Sequence, residues 1–250
     1  MKNKKYTFGD VTFEIESPFA HEDRHNCAAF RSDRETDCLI RVCPQEGDAG
    51  SAGKPERNGN VITRYLPGDY ASGLSVATLL ASSEAAFIFP EHDAFILHAA
   101  YIVHEGKAIL FTAPSGTGKS TQAEFWKNER GAEIVNGDRV LITRRCGRFY
   151  ANGVYASGTS GICHNVTAPI RAVVLLEQGE DNALNAVSPR MLFLRILCEC
   201  SYDMKDSGQC DKITELVSDM INTVPVVCYR CRNSSDSVEA LERIMSWKKE

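Results

Sequence analysis

The first part of the chain contains short runs in which apolar and polar residues alternate, a pattern typical of strands. Alternation on both sides of Gly9 and Asp10 predicts two strands joined by a turn, and the apolar run 39–42 predicts another strand. The glycine-rich, charged stretch 45–60 then predicts either a loop inside one domain or a linker between two. These features together indicate a small, mostly β N-terminal region.

The pattern changes in the next forty or so residues. Apolar positions three and four apart predict a helix over 70–82. Short apolar runs at 85–89 and 94–99 predict strands on either side of a polar break. Glu105 and Gly106 separate two further apolar runs, which predicts a hairpin at this point.

Strands and helices alternate along the rest of the chain, which is typical of an α/β core. The predicted helices are 119–130, 189–200, 211–223 and 237–247, and the predicted strands are 108–112, 134–135, 140–142, 172–176 and 224–229. We therefore predict an α/β fold in which 1–90 form the N-terminal region and 91–250 form the core.

One segment of the core has the spacing of a phosphate-binding P-loop. Its residues are Ala113, Pro114, Ser115, Gly116, Thr117, Gly118, Lys119, Ser120 and Thr121, with alanine in place of the first glycine. Gly116 and Gly118 let the backbone curl so that successive N–H groups point at phosphate oxygens. A strand precedes the segment and a helix follows it, so the helix dipole favours the same anion. We predict that this segment binds a nucleoside triphosphate.

Two side chains of the segment have distinct roles in this prediction. Lys119 contacts the β- and γ-phosphates as a positive charge, and the hydroxyl of Ser120 ligates Mg²⁺. An acidic partner follows 19 residues after Lys119, where an apolar strand ends at Asp138. His98 lies on an apolar strand 15 residues before Ala113.

These elements resemble the HPr kinase/phosphorylase family and its relative, phosphoenolpyruvate carboxykinase. The family has an S-G-x-G-K-S loop, as in 115–120 here, a strand that ends in an Asp pair after about this interval, and a His-Gly dipeptide on the preceding strand. Asp138 and His98 match the last two elements, and the resemblance covers about 95–145 well. It is closest to a diverged branch of HPr-kinase-like proteins. It implies a P-loop core with a mixed sheet and a kinase that uses ATP and Mg²⁺.

The resemblance also suggests roles for the matching residues. Lys119, Asp138 and His98 are the candidate catalytic residues, and Ser120 and Asp138 are the candidate metal ligands. Asp138 either stays near the metal or accepts the proton of the attacking hydroxyl. His98 orients the nucleophile, contacts the γ-phosphate, or is simply a satisfied core residue. Gly137 stands where the family has its second Asp, and 190–250 do not match the segment that docks HPr, so HPr itself is not indicated as the substrate.

Other candidates have simpler alternatives. Arg139 and the cluster of Arg144, Arg145 and Arg148 can neutralise the charge of a transition state. The cluster lies at a predicted turn over 145–148, which includes Cys146 and Gly147, and can equally be the solvated tip of a hairpin. The flexible segment 157–161 is either an acceptor loop or an ordinary loop. Trp126 is expected to pack in the core rather than stack on adenine. Cys228 and Cys231 form a single C-x-x-C pair on a strand, which favours buried thiols over a zinc or redox site.

Composition excludes several classes of protein. The chain has 250 residues, a formal net charge of −5 and 43% hydrophobic residues, so it is neither disordered nor a general nucleic-acid binder. The basic N-terminal residues precede no apolar segment, and no run of 18 apolar residues occurs, so we expect neither a signal peptide nor a membrane span. We therefore expect a cytoplasmic protein with reduced cysteines and without nucleic-acid or membrane partners.

Three functions fit these observations. The first is an ATP-dependent kinase that phosphorylates a Ser or Thr hydroxyl of a peptide or protein. The second is a kinase of a small hydroxylated molecule, and the third is a nucleotide-binding regulatory subunit that no longer catalyses transfer. The sequence leaves open which acceptor is used and whether the chain forms homo-oligomers.

Overall fold

Two β-sheets organise the part of the chain that the computed structural model describes, which is 3–23, 27–48, 50 and 52–246. The first sheet consists of β1 (Lys4–Phe8), β2 (Val11–Glu16), β3 (Cys38–Gln45), β4 (Glu56–Asn58) and β5 (Val61–Pro67), in the order β1-β2-β3-β5-β4. β1 and β2 form the predicted hairpin, with Tyr6 opposite Phe13. β3 confirms the strand predicted at 39–42, whereas β4 lies inside the stretch predicted as a loop.

Two predictions for the segment that follows are wrong in detail. The helix predicted over 70–82 is divided into α1 (Gly68–Ser72) and α2 (Val76–Ser82), because the Ser75 side chain accepts a hydrogen bond from the Thr78 N–H and starts a new helix. The strand predicted at 85–89 is instead part of a 3₁₀ helix, Ala85–His92. An apolar run of five residues does not distinguish a buried strand from a buried helical turn.

The second sheet forms the core. Its strands are β6 (Ala94–His104), β7 (Lys107–Thr112), β8 (Glu133–Asn136), β9 (Arg139–Arg145), β10 (Arg148–Asn152), β11 (Thr167–Gln178), β12 (Ala183–Asn185), β13 (Cys200–Ser201) and β14 (Val226–Cys231). The main order within the described residues is β10-β9-β6-β7-β11-β14-β12, and β8 and β13 also pair with β6. Parallel pairs (β7–β11 and β11–β14) and antiparallel pairs (β6–β7 and β6–β9) make this a mixed sheet.

The long strand β6 changes partners along its length. Its first half, from Ala94 to His98, pairs with β9, and its second half, from Ala99 to His104, pairs with β7. The hairpin predicted after β6 is confirmed, since Glu105 and Gly106 have φ values of 50° and 71°. Two successive residues with positive φ are typical of a two-residue type I′ turn.

Helices cover both faces of the part of this sheet formed by β7, β11 and β14. They are α3 (Lys119–Arg130), α4 (Pro189–Leu197), α5 (Ser207–Thr223) and α6 (Asp236–Ile244). One core joins α4 and α5 to inward residues such as Leu110 and Leu175, and a second joins α3 and α6 to alternate residues such as Phe111. Cys228 and Cys231 face these two different cores, as their spacing on a strand predicts. Trp126 of α3 is fully buried, which agrees with its predicted packing role.

The core of the first sheet continues into the second. Phe8 and Phe13 share it with Ile96 of β6 and Leu141 of β9. Within the described residues, no helix is long and apolar enough to cross a membrane. The fold is therefore a mixed α/β arrangement in which strand β6 pairs with β7, β8, β9 and β13.

Candidate functional site

Strand β6 brings the predicted site residues together, because the P-loop and Asp138 follow strands on its two sides. The hydroxyl of Thr112, at the end of β7, donates a hydrogen bond of 2.9 Å to the carbonyl of His98. The next N–H on β6, that of Ala99, donates a hydrogen bond of 3.0 Å to the carbonyl of Asp138. His98 therefore lies between the phosphate loop and the acidic residue.

The P-loop has the backbone conformation that its glycines predict. Gly116 and Gly118 have φ values of 81° and 114°, a region that residues with a Cβ rarely adopt. α3 begins at Lys119, directly after Gly118, whose carbonyl accepts the Gln122 N–H at 2.9 Å. Most of the loop is exposed, including Pro114, Ser115, Gly116, Ser120 and Thr121. An open loop at a helix N-terminus suits an anion such as a phosphate group.

Lys119 is folded back onto its own loop. Its Nζ donates hydrogen bonds to the carbonyls of Ala113 at 2.7 Å and Pro114 at 3.3 Å. Burial lowers the pKa of Lys119, and the negative charges of Glu199 and Asp138 act in the opposite direction. Glu199 and Asp138 therefore influence the protonation of this lysine.

A cavity of about 410 Å³ adjoins the loop on one side. The cavity is lined by Gly116, Thr117, Gly118 and Thr121 together with Arg232 and Asn233. Gln178 also lines it, and its Nε2 donates a 3.3 Å hydrogen bond to the carbonyl of Gly116. The cavity has the size expected of a small-molecule site and contains several polar groups.

The carboxylate of Asp138 is held by the side chains of His98 and Arg139. Its Oδ1 lies 3.3 Å from His98 Nε2, and its Oδ2 accepts a 3.0 Å hydrogen bond from Arg139 Nε. The hydrogen bonds from His98 and Arg139 outweigh burial and lower the pKa of Asp138 to about 2. Arg139 also donates a 3.0 Å hydrogen bond to Ser201 Oγ, which fixes its guanidinium group. The carboxylate is therefore ionised at neutral pH.

Asn136 positions the turn that carries Asp138. It is fully buried, and its Oδ1 accepts the N–H groups of Asp138 at 2.9 Å and Arg139 at 3.0 Å. Its Nδ2 donates to the carbonyl of Ala156 at 2.8 Å, which attaches the segment before 157–161 to the same turn. Sequence reasoning missed Asn136, although an Asn placed two residues before a turn is a known local signal.

The segment 157–161 packs directly on Asp138. A Cβ added to Gly158 would lie 2.7 Å from Asp138 Cγ, and one added to Gly137 would lie 2.7 Å from Ser160 Oγ. Gly137 is therefore the residue that allows this segment to approach the turn. A second carboxylate at this position, as the resembling family has, would collide with Ser160.

Glu199 is a second site residue that sequence reasoning missed. Its Oε2 lies 2.8 Å from His98 Nδ1, on the side of the imidazole ring opposite Asp138. The helix predicted over 189–200 ends at Leu197, and Cys200 pairs with Leu97 of β6. The prediction of a longer helix was wrong at this end because the pairing of β13 with β6 replaces the last helical turn. No local signal indicates the contact, since Glu199 and His98 are 101 residues apart.

A smaller, mostly apolar cavity of about 230 Å³ lies on the other side of the loop. Ala113 and Pro114 form one wall, and Met191 and Leu194 of α4 form another. These two α4 side chains are 47% and 39% exposed, so apolar surface is accessible beside the loop. Glu199 lies at the edge of the same cavity.

Two other arginines that are candidates from the sequence, Arg144 and Arg145, lie outside the candidate site. Arg144 binds Asp93, Glu215 and Asp219, and Arg145 binds Asp10, so these side chains are engaged in ion pairs outside the loop.

Hydroxyl and carboxylate oxygens are the ligands that Mg²⁺ prefers. Ser120 is exposed at the start of α3, and Asp138 is ionised, so both fit this chemistry. Within the described residues, no group of three or more His, Cys, Asp or Glu side chains has the arrangement of a metal site. Mg²⁺ does not require such a group, because one or two carboxylates and substrate phosphates usually hold it.

Comparisons with known proteins give structural matches but no match in sequence to a family or a curated protein. Among solved structures, an HPr(Ser) kinase/phosphatase from Coxiella burnetii is similar over 38% of this chain and 66% of that chain, with 15% sequence identity and a TM-score of 0.28. The aligned region is thus slightly under two thirds of that protein. A similarity of this strength identifies a weak structural neighbour, and the function proposed below depends on the site itself.

Proposed function

We propose that this protein is an ATP-dependent kinase that transfers the γ-phosphoryl group to a Ser or Thr hydroxyl of a peptide or protein. One observation carries the proposal. The strand that leads into the phosphate loop and the turn that carries Asp138 hydrogen-bond to neighbouring residues of β6, and the imidazole of His98 on β6 contacts the Asp138 carboxylate. Phosphoryl transfer needs this combination, because positioning and charge neutralisation supply most of its catalysis.

The loop supports the nucleotide half of the proposal. Its N–H groups and the start of α3 would bind the phosphates, and Lys119 would exchange its loop carbonyl partners for phosphate oxygens. The cavity of about 410 Å³ beside the loop would hold the ribose and base, with Arg232 and Asn233 as polar contacts. Ser120 and Asp138 would hold Mg²⁺, which neutralises charge on the phosphates when bound.

Asp138 supports the transfer half of the proposal. An ionised carboxylate accepts a hydrogen bond from the acceptor hydroxyl and so orients its oxygen towards the phosphorus atom. A pKa of about 2 makes Asp138 a weak base, so it would take the proton only as the new O–P bond forms. That timing suits a loose transition state, in which bond formation to the nucleophile is limited. His98 and Arg139 keep the carboxylate ionised and in place.

The apolar cavity favours a peptide over a small polar acceptor. Met191 and Leu194 line it beside Ala113 and Pro114, so an apolar side chain near the acceptor hydroxyl would fit there. A free hydroxy amino acid would leave most of this apolar wall uncovered, although Arg195 and Glu199 also line the cavity. The presence of Lys119 and Asp138 in one site favours turnover over a purely regulatory role.

Transfer from radiolabelled ATP tests the proposal. The assay uses γ-labelled ATP, Mg²⁺ and a peptide library in which Ser or Thr is flanked by Leu or Met. We expect label on the peptide with the wild-type protein, and a large loss of transfer in Asp138→Asn with ATP binding retained. Lys119→Met is expected to weaken ATP binding, whereas Lys127→Met, an exposed residue on the same helix, is the matched control. ATP binding without transfer to any acceptor would contradict the proposal.

A further inference from the structure

The imidazole of His98 lies between two carboxylates. Its Nδ1 is 2.8 Å from Glu199 Oε2, and its Nε2 is 3.3 Å from Asp138 Oδ1. The Glu199 contact is the shorter one, and the Glu199 side chain is only 15% exposed. An imidazole held on one nitrogen presents its other nitrogen in a fixed direction.

The backbone of Glu199 is hydrogen-bonded to the same residue as its side chain. The N–H of His98 donates a 2.9 Å hydrogen bond to the carbonyl of Glu199. The next residue, Cys200, pairs with Leu97 in an antiparallel register. The two residues are therefore joined through main chain and side chain together, and this arrangement limits the motion of the carboxylate.

Without a partner on Nδ1, only the longer contact of 3.3 Å between Nε2 and Asp138 would oppose rotation of the ring, because the second side-chain torsion of histidine has a broad, two-fold profile. Rotation by half a turn would move Nε2 away from Asp138. A hydrogen bond on the far nitrogen removes this freedom, as carboxylate partners do for histidines that ligate metals.

We propose that Glu199 is a positioning residue, which holds the His98 ring so that Nε2 faces the Asp138 carboxylate. This inference rests on the proposed kinase function and assigns a role that the loop sequence alone does not indicate. Glu199 does not contact the reacting atoms; it acts through His98 on Asp138. A structural residue would affect folding, whereas a positioning residue affects the turnover number.

A double-mutant cycle tests the inference. Glu199→Ala is expected to lower kcat roughly 10- to 100-fold, the range seen when partners of functional histidines are removed. The KM for ATP should stay within about two-fold, since Glu199 does not line the larger cavity. Glu199→Gln should recover most of the loss, because its side-chain amide can still form a hydrogen bond with Nδ1. In the His98→Ala background, Glu199→Ala should have no further effect.

The chain offers a matched control in a second His–Glu contact. Glu133 Oε1 lies 3.1 Å from His164 Nδ1, and both side chains are about half exposed. Glu133→Ala should leave kcat unchanged. The inference would be overturned if Glu199→Ala lowered kcat by the same factor in the wild-type and His98→Ala backgrounds. An unchanged kcat in Glu199→Ala would also overturn it.

A crystal structure of the Glu199→Ala variant provides a readout that does not depend on activity. We expect the His98 ring to rotate or to adopt two orientations, with the contact between Nε2 and Asp138 lengthened. A ring in its original orientation would overturn the inference even if the wild-type protein transferred no phosphate. Absence of transfer by the wild-type protein, with the expected rotation in the variant, would instead contradict the proposed function alone.

Discussion

Gly158 provides the sharpest test of how segment 157–161 contacts the site. A Cβ at this position would lie 2.7 Å from Asp138 Cγ, 2.8 Å from Asp138 Cβ and 3.0 Å from Asp138 Oδ1. Ordinary Cβ contacts begin near 3.4 Å, so Gly158→Ala requires the carboxylate or the loop to move by about 0.7 Å. The φ of 55° adds backbone strain of roughly 1 kcal/mol for a residue with a Cβ.

Gly147→Ala separates the two effects. Gly147 also has a positive φ, 72°, but a Cβ there would meet nothing within 4 Å. Gly147→Ala should therefore lose about 1 kcal/mol in free energy of unfolding from backbone strain alone, measured by urea denaturation, and Gly158→Ala should lose more because the collision with Asp138 adds to that strain. Only Gly158→Ala should also lower kcat, by roughly 10- to 100-fold, because displacements approaching 1 Å can reduce rates about 100-fold. Equal kcat values for the two variants would refute the placement of Gly158 against Asp138.

Two further predictions concern other parts of the molecule. Arg144→Met should lower the free energy of unfolding by about 1 kcal/mol at neutral pH, since it removes an ion-pair network. Lys212 and Arg144 lower the pKa of Asp93. The difference in free energy of unfolding between the variant and the wild-type protein should therefore be complete above about pH 4 and should shrink as the pH falls through the lowered pKa. A difference that grows in acid would contradict this prediction. Leu194→Asp should raise the KM for peptide acceptors several-fold without changing ATP binding, because it places a charge in the smaller cavity. Leu184 is another exposed leucine and lies outside that cavity, so Leu184→Asp should change neither the KM for peptide acceptors nor ATP binding. Equal effects of the two substitutions would argue against the peptide pocket.

Local signals predicted much of the fold. The hairpin at Glu105 and Gly106 and the turn at Cys146 and Gly147 depend on consecutive residues, and both show the expected positive φ values. The strand, loop and helix around the P-loop were predictable for the same reason, since glycine spacing and helix start are local properties. The apolar run at 85–89 was not predictable as helical, because its conformation depends on burial against distant residues.

The site was predictable only in part. Lys119 and Ser120 follow from the loop motif, and Asp138 and His98 follow from a resemblance in spacing. Glu199 has no such signal, because the pairing of β13 with β6 brings it to His98 from 101 residues away. The role of Gly137 also needed the structure, which shows that Ser160 occupies the space beside it.

Comparison of α- and γ-labelled ATP tests whether this protein is a kinase. The measurement is transfer of label to Ser or Thr of a peptide that has an apolar residue beside the acceptor, in the presence of Mg²⁺. We predict that γ-label appears on the peptide as phosphoserine or phosphothreonine, that α-label does not, and that Asp138→Asn abolishes the transfer while still binding ATP. Transfer of α-label to the peptide would contradict the proposed kinase activity. Transfer by Asp138→Asn equal to that of the wild-type protein would contradict the proposed role of Asp138.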